Sequence, residues 1–373
     1  MNNSSNLNFK KAHLKKAQLK KAFSLIELSV VVLIIGILIA GITQSSRLVR
    51  AMKLNTARSL TRSSDVASIR NLTAWFDATA EGVLSTTIPA TSGATYADPG
   101  HRDNVLVWKD SNPQDTDADK VILYNTNSTN APIYLNSAIS GLPSLYFDGA
   151  DILTSNNLVT MPLSAGSKNY SMFTVFNYDT TATCDIAAIF SIGDGGSDTT
   201  GGSIKVDTWD NKYIAIDFSR TNNFAQSWFQ FDKKIINTQN YAFGFSADLN
   251  DTYSNLACPS PYTASGCSKV KAYLNSTSPL NRKATGSVTT NTPPGAPVGF
   301  FGIGGDVTNT TASVNLYGVS TALPSGSPSN YSCGTAGFKG LISEVLIFDR
   351  TLTNEEASSV MAYLIKKYNI KAL

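Results

Sequence analysis

The chain is 373 residues long, 42% apolar and only 15% charged, which excludes a disordered or fibrous polymer and leaves enough chain for a large core. Its formal charge of +3 is unevenly placed: residues 1–22 hold Lys10, Lys11, Lys15, Lys16, Lys20 and Lys21 and no acid, and without them the balance becomes −3. Residues 71–373 carry 18 basic against 25 acidic groups, which argues against a nucleic-acid partner, because neutralising phosphates needs a basic face.

The leader repeats KKA at Lys10, Lys15 and Lys20, a five-residue period that fits neither a helix face nor a strand and reads as topology-setting charge. Phe23 to Ile42 then form 20 residues with a single charge, Glu27. At a rise of about 1.5 Å per residue this run matches the hydrocarbon thickness of a bilayer. A plain anchor does not account for Glu27, since a carboxylate inside an apolar span costs several kcal/mol unless paired and is a functional site by default. Residues 23–70 contain no Pro, and Leu48, Met52, Leu54, Ala57 and Leu60 extend an apolar stripe. That stripe predicts a helix continuing onto a globular head.

The run Lys20, Lys21, Ala22, Phe23, Ser24, Leu25, Ile26, Glu27 resembles the prepilin signal of type IV pilins and type II secretion pseudopilins. The resemblance implies cleavage by a prepilin peptidase between Ala22 and Phe23, with Ala22 standing where Gly is usual, and methylation of the new Phe23 amine. It also implies an assembly role for Glu27, paired with the Phe23 amine of a neighbouring subunit. Residues 1–22 are then a cleaved leader, 23–70 the helix and 71–373 the head. The chain is expected to reside first as a single-pass inner-membrane protein with its head in the periplasm, and then in a pilus or pseudopilus beside other pilin subunits.

From Leu72 the sequence turns to short β-rich runs broken by Gly, Pro, Asn, Asp and Ser. Strands are predicted at 72–78, 104–110, 144–149, 171–178, 187–193, 213–218, 241–247, 270–275, 297–305 and 338–349, several alternating with period two. No long helical pattern interrupts them, so the fold class is mainly β, an antiparallel two-sheet sandwich or jelly roll. One helix follows at the end: Thr353 and Glu356 form a capping box, and Val360, Met361, Leu364, Ile365 and Tyr368 form its apolar stripe. Lys366 and Lys367 stand at its C-terminal end, where the helix dipole favours cations. The helix reads as a lid closing the sandwich.

The pieces AWFDA, VWKDSN, GLPSLYFDG, FTVFNY, IFSIGDGG and FKGLISEVLIFDRTLTNEEASSVMAYLIKKY resemble the concanavalin A-like lectin/glucanase superfamily in its laminin-G-like branch. The resemblance implies a jelly roll with a short C-terminal helix that recognises glycan or protein, in some members with Ca2+. It does not imply one chemistry, because this fold hosts binders, hydrolases and spacers alike.

A retaining glycosidase needs two carboxyls about 5 Å apart on one sheet surface, but the head's Glu residues are Glu81, Glu344, Glu355 and Glu356, and Glu344 has no carboxylate two positions away. No enzyme activity is expected. Asp194 and Asp198, in a Gly-rich loop, are the candidate Ca2+ ligands, whereas Asp115, Asp117 and Asp119 lack the Gly that an EF-hand loop requires. Trp209, Trp228 and Tyr262, near polar loops, are the candidate ligand-stacking aromatics. Cys258 and Cys267 flank a short loop suited to a bridge, leaving Cys184 and Cys333 as the other pair; the sequence does not fix the connectivity. The leading function is a minor pilin or pseudopilin displaying an adhesive head; the alternatives are a priming subunit of a secretion pseudopilus that binds no external ligand and, behind both, a hydrolase of wall polysaccharide.

Overall fold

The computed structural model describes residues 24–88, 96, 98–116, 119–155, 169–179, 188–193, 203–209, 213–219, 227–236, 239–248, 270–280, 282–285, 300–305, 312–316, 319–323 and 337–373. The chain divides into two compact units, Met1–Val49 and Arg50–Leu373. Helix α1 runs from Leu25 to Arg62. In the first unit it carries its apolar side chains uncovered, with Leu25, Ile34 and Ile42 at 84%, 51% and 68% exposure. Among the described residues it is long and apolar enough to cross a membrane.

The composition change at Leu72 marks the start of the strands, but the second unit begins earlier. Ala57 is buried in the head's core, and the Arg58 side chain donates to the carbonyl of Thr79 at 2.7 Å.

The strands, in chain order, are β1 Leu72–Asp77, β2 Leu84–Ser85, β3 Val107–Lys109, β4 Ile122–Tyr124, β5 Ile133–Leu135, β6 Ser144–Asp148 and β7 Leu153–Ser155. There follow β8 Asn169–Tyr178, β9 Ala188–Gly193, β10 Ser203–Trp209, β11 Tyr213–Ser219, β12 Ser227–Lys234, β13 Asn240–Asp248 and β14 Val270–Leu274. The last are β15 Arg282–Thr285, β16 Phe300–Ile303, β17 Ala312–Leu316, β18 Val319–Leu323 and β19 Lys339–Phe348, before helix α2, Asn354–Lys367.

A seven-stranded sheet has the order β14-β13-β8-β19-β6-β5, with β1 also on β19. Strand β6 pairs with Lys339–Ile342 and β1 with Glu344–Phe348. A ten-stranded sheet has the order β15-β12-β11-β10-β9-β16-β7-β4-β3-β2, and β17 and β18 form a separate hairpin. Pairings within both large sheets are antiparallel.

The main core lies between the sheets and a second one covers the outer face of the seven-stranded sheet. Strand β8 shows why: Tyr170, Met172, Phe176 and Tyr178 enter the inter-sheet core, while Phe173 and Val175 face the other way. A strand buried on both faces reads as a near-continuous apolar run. Helix α2 covers this outer face with Ala357, Val360, Met361 and Leu364. It is therefore a layer laid on one sheet and not a lid over the seam between two.

Its start is built as its sequence predicts. The Thr353 hydroxyl accepts the Glu356 N–H while the Glu356 carboxylate accepts the Thr353 N–H. Arg350 adds a second clamp on Glu356 at 2.5 and 2.8 Å and holds that carboxyl below its usual range.

One irregularity positions the site. Strand β19 is bulged between Ile342 and Glu344, and the extra residue reverses which face successive side chains take. Ile342, Val345 and Ile347 point into the inter-sheet core, while Leu346 and Phe348 join the outer one. Glu344 shares the outward parity of Leu346 and Phe348, toward α2.

Candidate functional site

Beneath α2, three ionisable side chains meet out of contact with water. The Lys367 side chain is 0% exposed, that of Glu344 0% and that of Asp77 1%. Lys367 Nζ lies 2.7 Å from Asp77 Oδ2 and 2.7 Å from Glu344 Oε2. Each carboxylate is further held. Asp77 Oδ1 accepts the Thr79 backbone N–H at 2.8 Å and the Thr79 hydroxyl at 2.7 Å. Glu344 Oε1 accepts Trp75 Nε1–H at 2.6 Å and the Tyr363 hydroxyl at 2.7 Å, and Glu344 Oε2 accepts the Tyr368 hydroxyl at 2.9 Å.

The rings of Tyr363 and Tyr368 also flank the ammonium, with centroids 5.5 and 5.2 Å from Nζ, so the cation is surrounded by π-faces as well as carboxylates. From α1, Thr61 Oγ1 lies 2.9 Å from the Tyr363 hydroxyl. Burial pushes the Glu344 carboxyl up, against the pull of Lys367, and nearby Asp77 adds to the rise. Burial, followed by the Glu344 charge, pushes both phenols well above their ordinary range.

Lys366 and Lys367 both fall in the last turn of α2, as the sequence indicates; what the sequence does not show is that Lys366 is exposed while Lys367 is buried and serves as a counterion inside the protein. Glu344 has no carboxylate partner along its own strand, yet Asp77 arrives opposite it, because Asp77 pairs with Glu344 in the β1–β19 register. The sequence signal for this pair is a charge at an outer-face position of a double-sided strand, in AWFDA and in SEVLIFD.

Next to this cluster is a cavity of about 610 Å3, bordered by Arg58 and Arg62 of α1, Trp75 and Asp77 of β1, and Asp110 and Lys120. Asp110 is buried; its Oδ1 accepts the Trp75 N–H at 2.6 Å and the Asn112 N–H at 2.7 Å, while its Oδ2 has no hydrogen-bond partner. Burial raises its pKa to about 7, opposed in turn by those two N–H groups and by Lys120.

At the N-terminus, Ala22 and Phe23 lie outside the described residues. Glu27 occupies the first turn of α1, exposed, and accepts the Ser24 N–H at 2.9 Å. Trp209 and Trp228 lie on β10 and β12. Tyr262, Asp194, Asp198, Cys184, Cys258, Cys267 and Cys333 lie outside the described residues. Of the EF-hand-like run, Asp115 accepts from Asn112 Nδ2 at 2.6 Å and Asp119 from Thr116 Oγ1 at 2.5 Å, while Asp117 lies outside. Among the described residues no group of three or more His, Cys, Asp or Glu is placed to hold a metal ion.

Residues 18–43 match the prokaryotic N-terminal methylation motif. The chain has a type IV pilin-like N-terminus. That motif implies processing by a prepilin peptidase and assembly with other pilins, and together with the apolar helix it fits membrane anchoring with a pilus or pseudopilus fate. No curated protein matches the chain.

Among solved structures, the K499G mutant of NanB sialidase from Streptococcus pneumoniae is similar over 58% of this chain at 12% identity and a TM-score of 0.36. This chain spans only 27% of that sialidase. Domain 4 of AbnA, an extracellular arabinanase from Geobacillus stearothermophilus, solved with arabinotriose, is similar over 78% of this chain and 98% of its own length, at 15% identity and a TM-score of 0.39. A Trypanosoma rangeli sialidase in complex with sialic acid is similar over 80% of this chain and 33% of its own, at 10% identity and a TM-score of 0.42.

Proposed function

We propose that the protein is a minor pilin or pseudopilin-like subunit whose N-terminal helix anchors it in a filament and whose head, a concanavalin A-like jelly roll, binds glycan or protein without catalysing a reaction. The observation that carries the first half is the methylation motif over residues 18–43, continuous with an apolar helix whose lone acid is Glu27. For the head, support comes from the antiparallel two-sheet body and from the laminin-G-like motifs of the sequence. A body of this size on one anchor suits rare, tip-like incorporation better than repeated packing along a shaft.

The test has two arms. Mass spectrometry of the protein from its native host should find methylated Phe23 at the N-terminus; an intact Met1 would reject the pilin assignment. The full chain in detergent should bind members of a glycan array or a surface-protein extract without turning any glycan over. No binding to either, with filaments lost on deletion, would favour a priming subunit of a secretion pseudopilus, and turnover would make the head a hydrolase.

A further inference from the structure

We propose that Lys367 and Asp77 form an intramolecular amide bond, with Glu344 as the acid–base group that makes it. The proposal stands apart from the filament and ligand assignments above and rests on the buried cluster alone.

Three features of the cluster are those an amide condensation requires. The nucleophile and the electrophile are already in contact, with Lys367 Nζ 2.7 Å from Asp77 Oδ2, which removes most of the entropic barrier of bringing two groups together. A second carboxylate touches the same nitrogen at 2.7 Å and can take its proton; the burial that raises Glu344's proton affinity suits that role. The other oxygen of Asp77 is held by the Thr79 N–H at 2.8 Å and the Thr79 hydroxyl at 2.7 Å. Two donors at that distance match the requirement for stabilising an oxyanion at Oδ1.

The step balances without any co-reactant. Glu344 Oε2 takes one proton from the Lys367 ammonium and passes it to Asp77 Oδ2, and the freed amine lone pair then attacks Cγ of the neutral carboxyl, placing the negative charge of the tetrahedral species on Oδ1. A second proton follows by the same route as the C–Oδ2 bond breaks, so Oδ2 leaves as water. The sum is ammonium plus carboxylate giving a secondary amide and one water, with Glu344 returned to its starting state. Two physical effects favour the product: the amide replaces an ion pair that burial penalises, and Asp77 and Trp75 border the adjoining cavity, into which the water can leave. The bond would join the first strand of the head to the end of its last helix, 290 residues apart, and a covalent closure of that span restricts the unfolded chain as a long-range disulfide does.

The full chain, purified in detergent and shown to be folded by circular dichroism, is digested with trypsin and analysed by tandem mass spectrometry. The expected result is a branched peptide joining the Asp77 and Lys367 segments, lighter than their sum by one water. Lys367→Arg keeps the positive charge and should give only unlinked segments. Glu344→Gln keeps the side-chain shape and should slow bond formation by about 100-fold or more. Unlinked Asp77 and Lys367 peptides from folded wild-type protein would overturn the proposal and leave an ion pair. Wild-type-like linking in Glu344→Gln would overturn the part assigned to Glu344.

Discussion

Asp110 holds one oxygen in two backbone N–H bonds while its other oxygen has no partner inside the protein. An acid whose pKa rises on folding, here from 3.8 to about 7, binds its proton more tightly in the native state. The contribution of Asp110 to stability is therefore greatest below the lower value and falls as the pH climbs through the interval between the two, by about 1.4 kcal/mol per pH unit while the effect lasts. Asp151, also raised to about 7 chiefly by burial, acts in the same direction. The head should thus melt at a higher temperature at pH 6 than at pH 8. Asp110→Asn, which retains the accepting Oδ1, should flatten that dependence in calorimetric scans. A wild-type melting temperature that rises between pH 6 and pH 8 would contradict the assignment.

Among the elements, β8 and β13 show how tightly α2 is seated. Gly244 of β13 stands opposite Phe173 of β8, and the Phe173 ring lies where a Cβ would be, 2.0 Å from its Cδ1. Phe173 belongs to the core under α2 and meets Phe348 edge-on at a centroid distance of 6.0 Å. Gly244→Ala should therefore cost about 1–3 kcal/mol by overpacking, read as a lower urea midpoint with an unchanged slope. The ten runs that the sequence marks as strands all contain described strands, because each is long enough for apolar residues and β-formers to stand out. Nine described strands lie outside those runs: β2, β4, β5 and β7, of two or three residues, carry too few side chains to show a period, whereas β10, β12, β15, β17 and β18 are longer and interleave charged or polar residues with their apolar ones, as in SIKVDTW and SWFQFDKK.

For the molecule as a whole, the two units answer to different solvents. The uncovered apolar surface of α1 suits lipid or other apolar helices, whereas the second unit buries its own core. Glu27 belongs to the first. Glu27→Ala should still enter the membrane fraction in normal amount but be missing from sheared filaments on immunoblots; equal incorporation would remove the assembly role. Conversely, Glu344→Gln should leave membrane insertion unaffected, since its contacts lie within the head.

The linear chain was sufficient for the basic leader, the apolar helix with its single acid, the β-rich body and the capped final helix, because each is written in local composition, periodicity or a motif a few residues long. It could not place Lys367, which stands in a sequence pattern typical of a solvated helix end, nor pair Asp77 with Glu344 across a separation of more than 260 positions. Those depend on the bulge in β19 that turns Glu344 outward, on the antiparallel register that sets it opposite Asp77, and on α2 lying across that face. Long-range register arises from the packing of whole sheets, and no short window of sequence contains it.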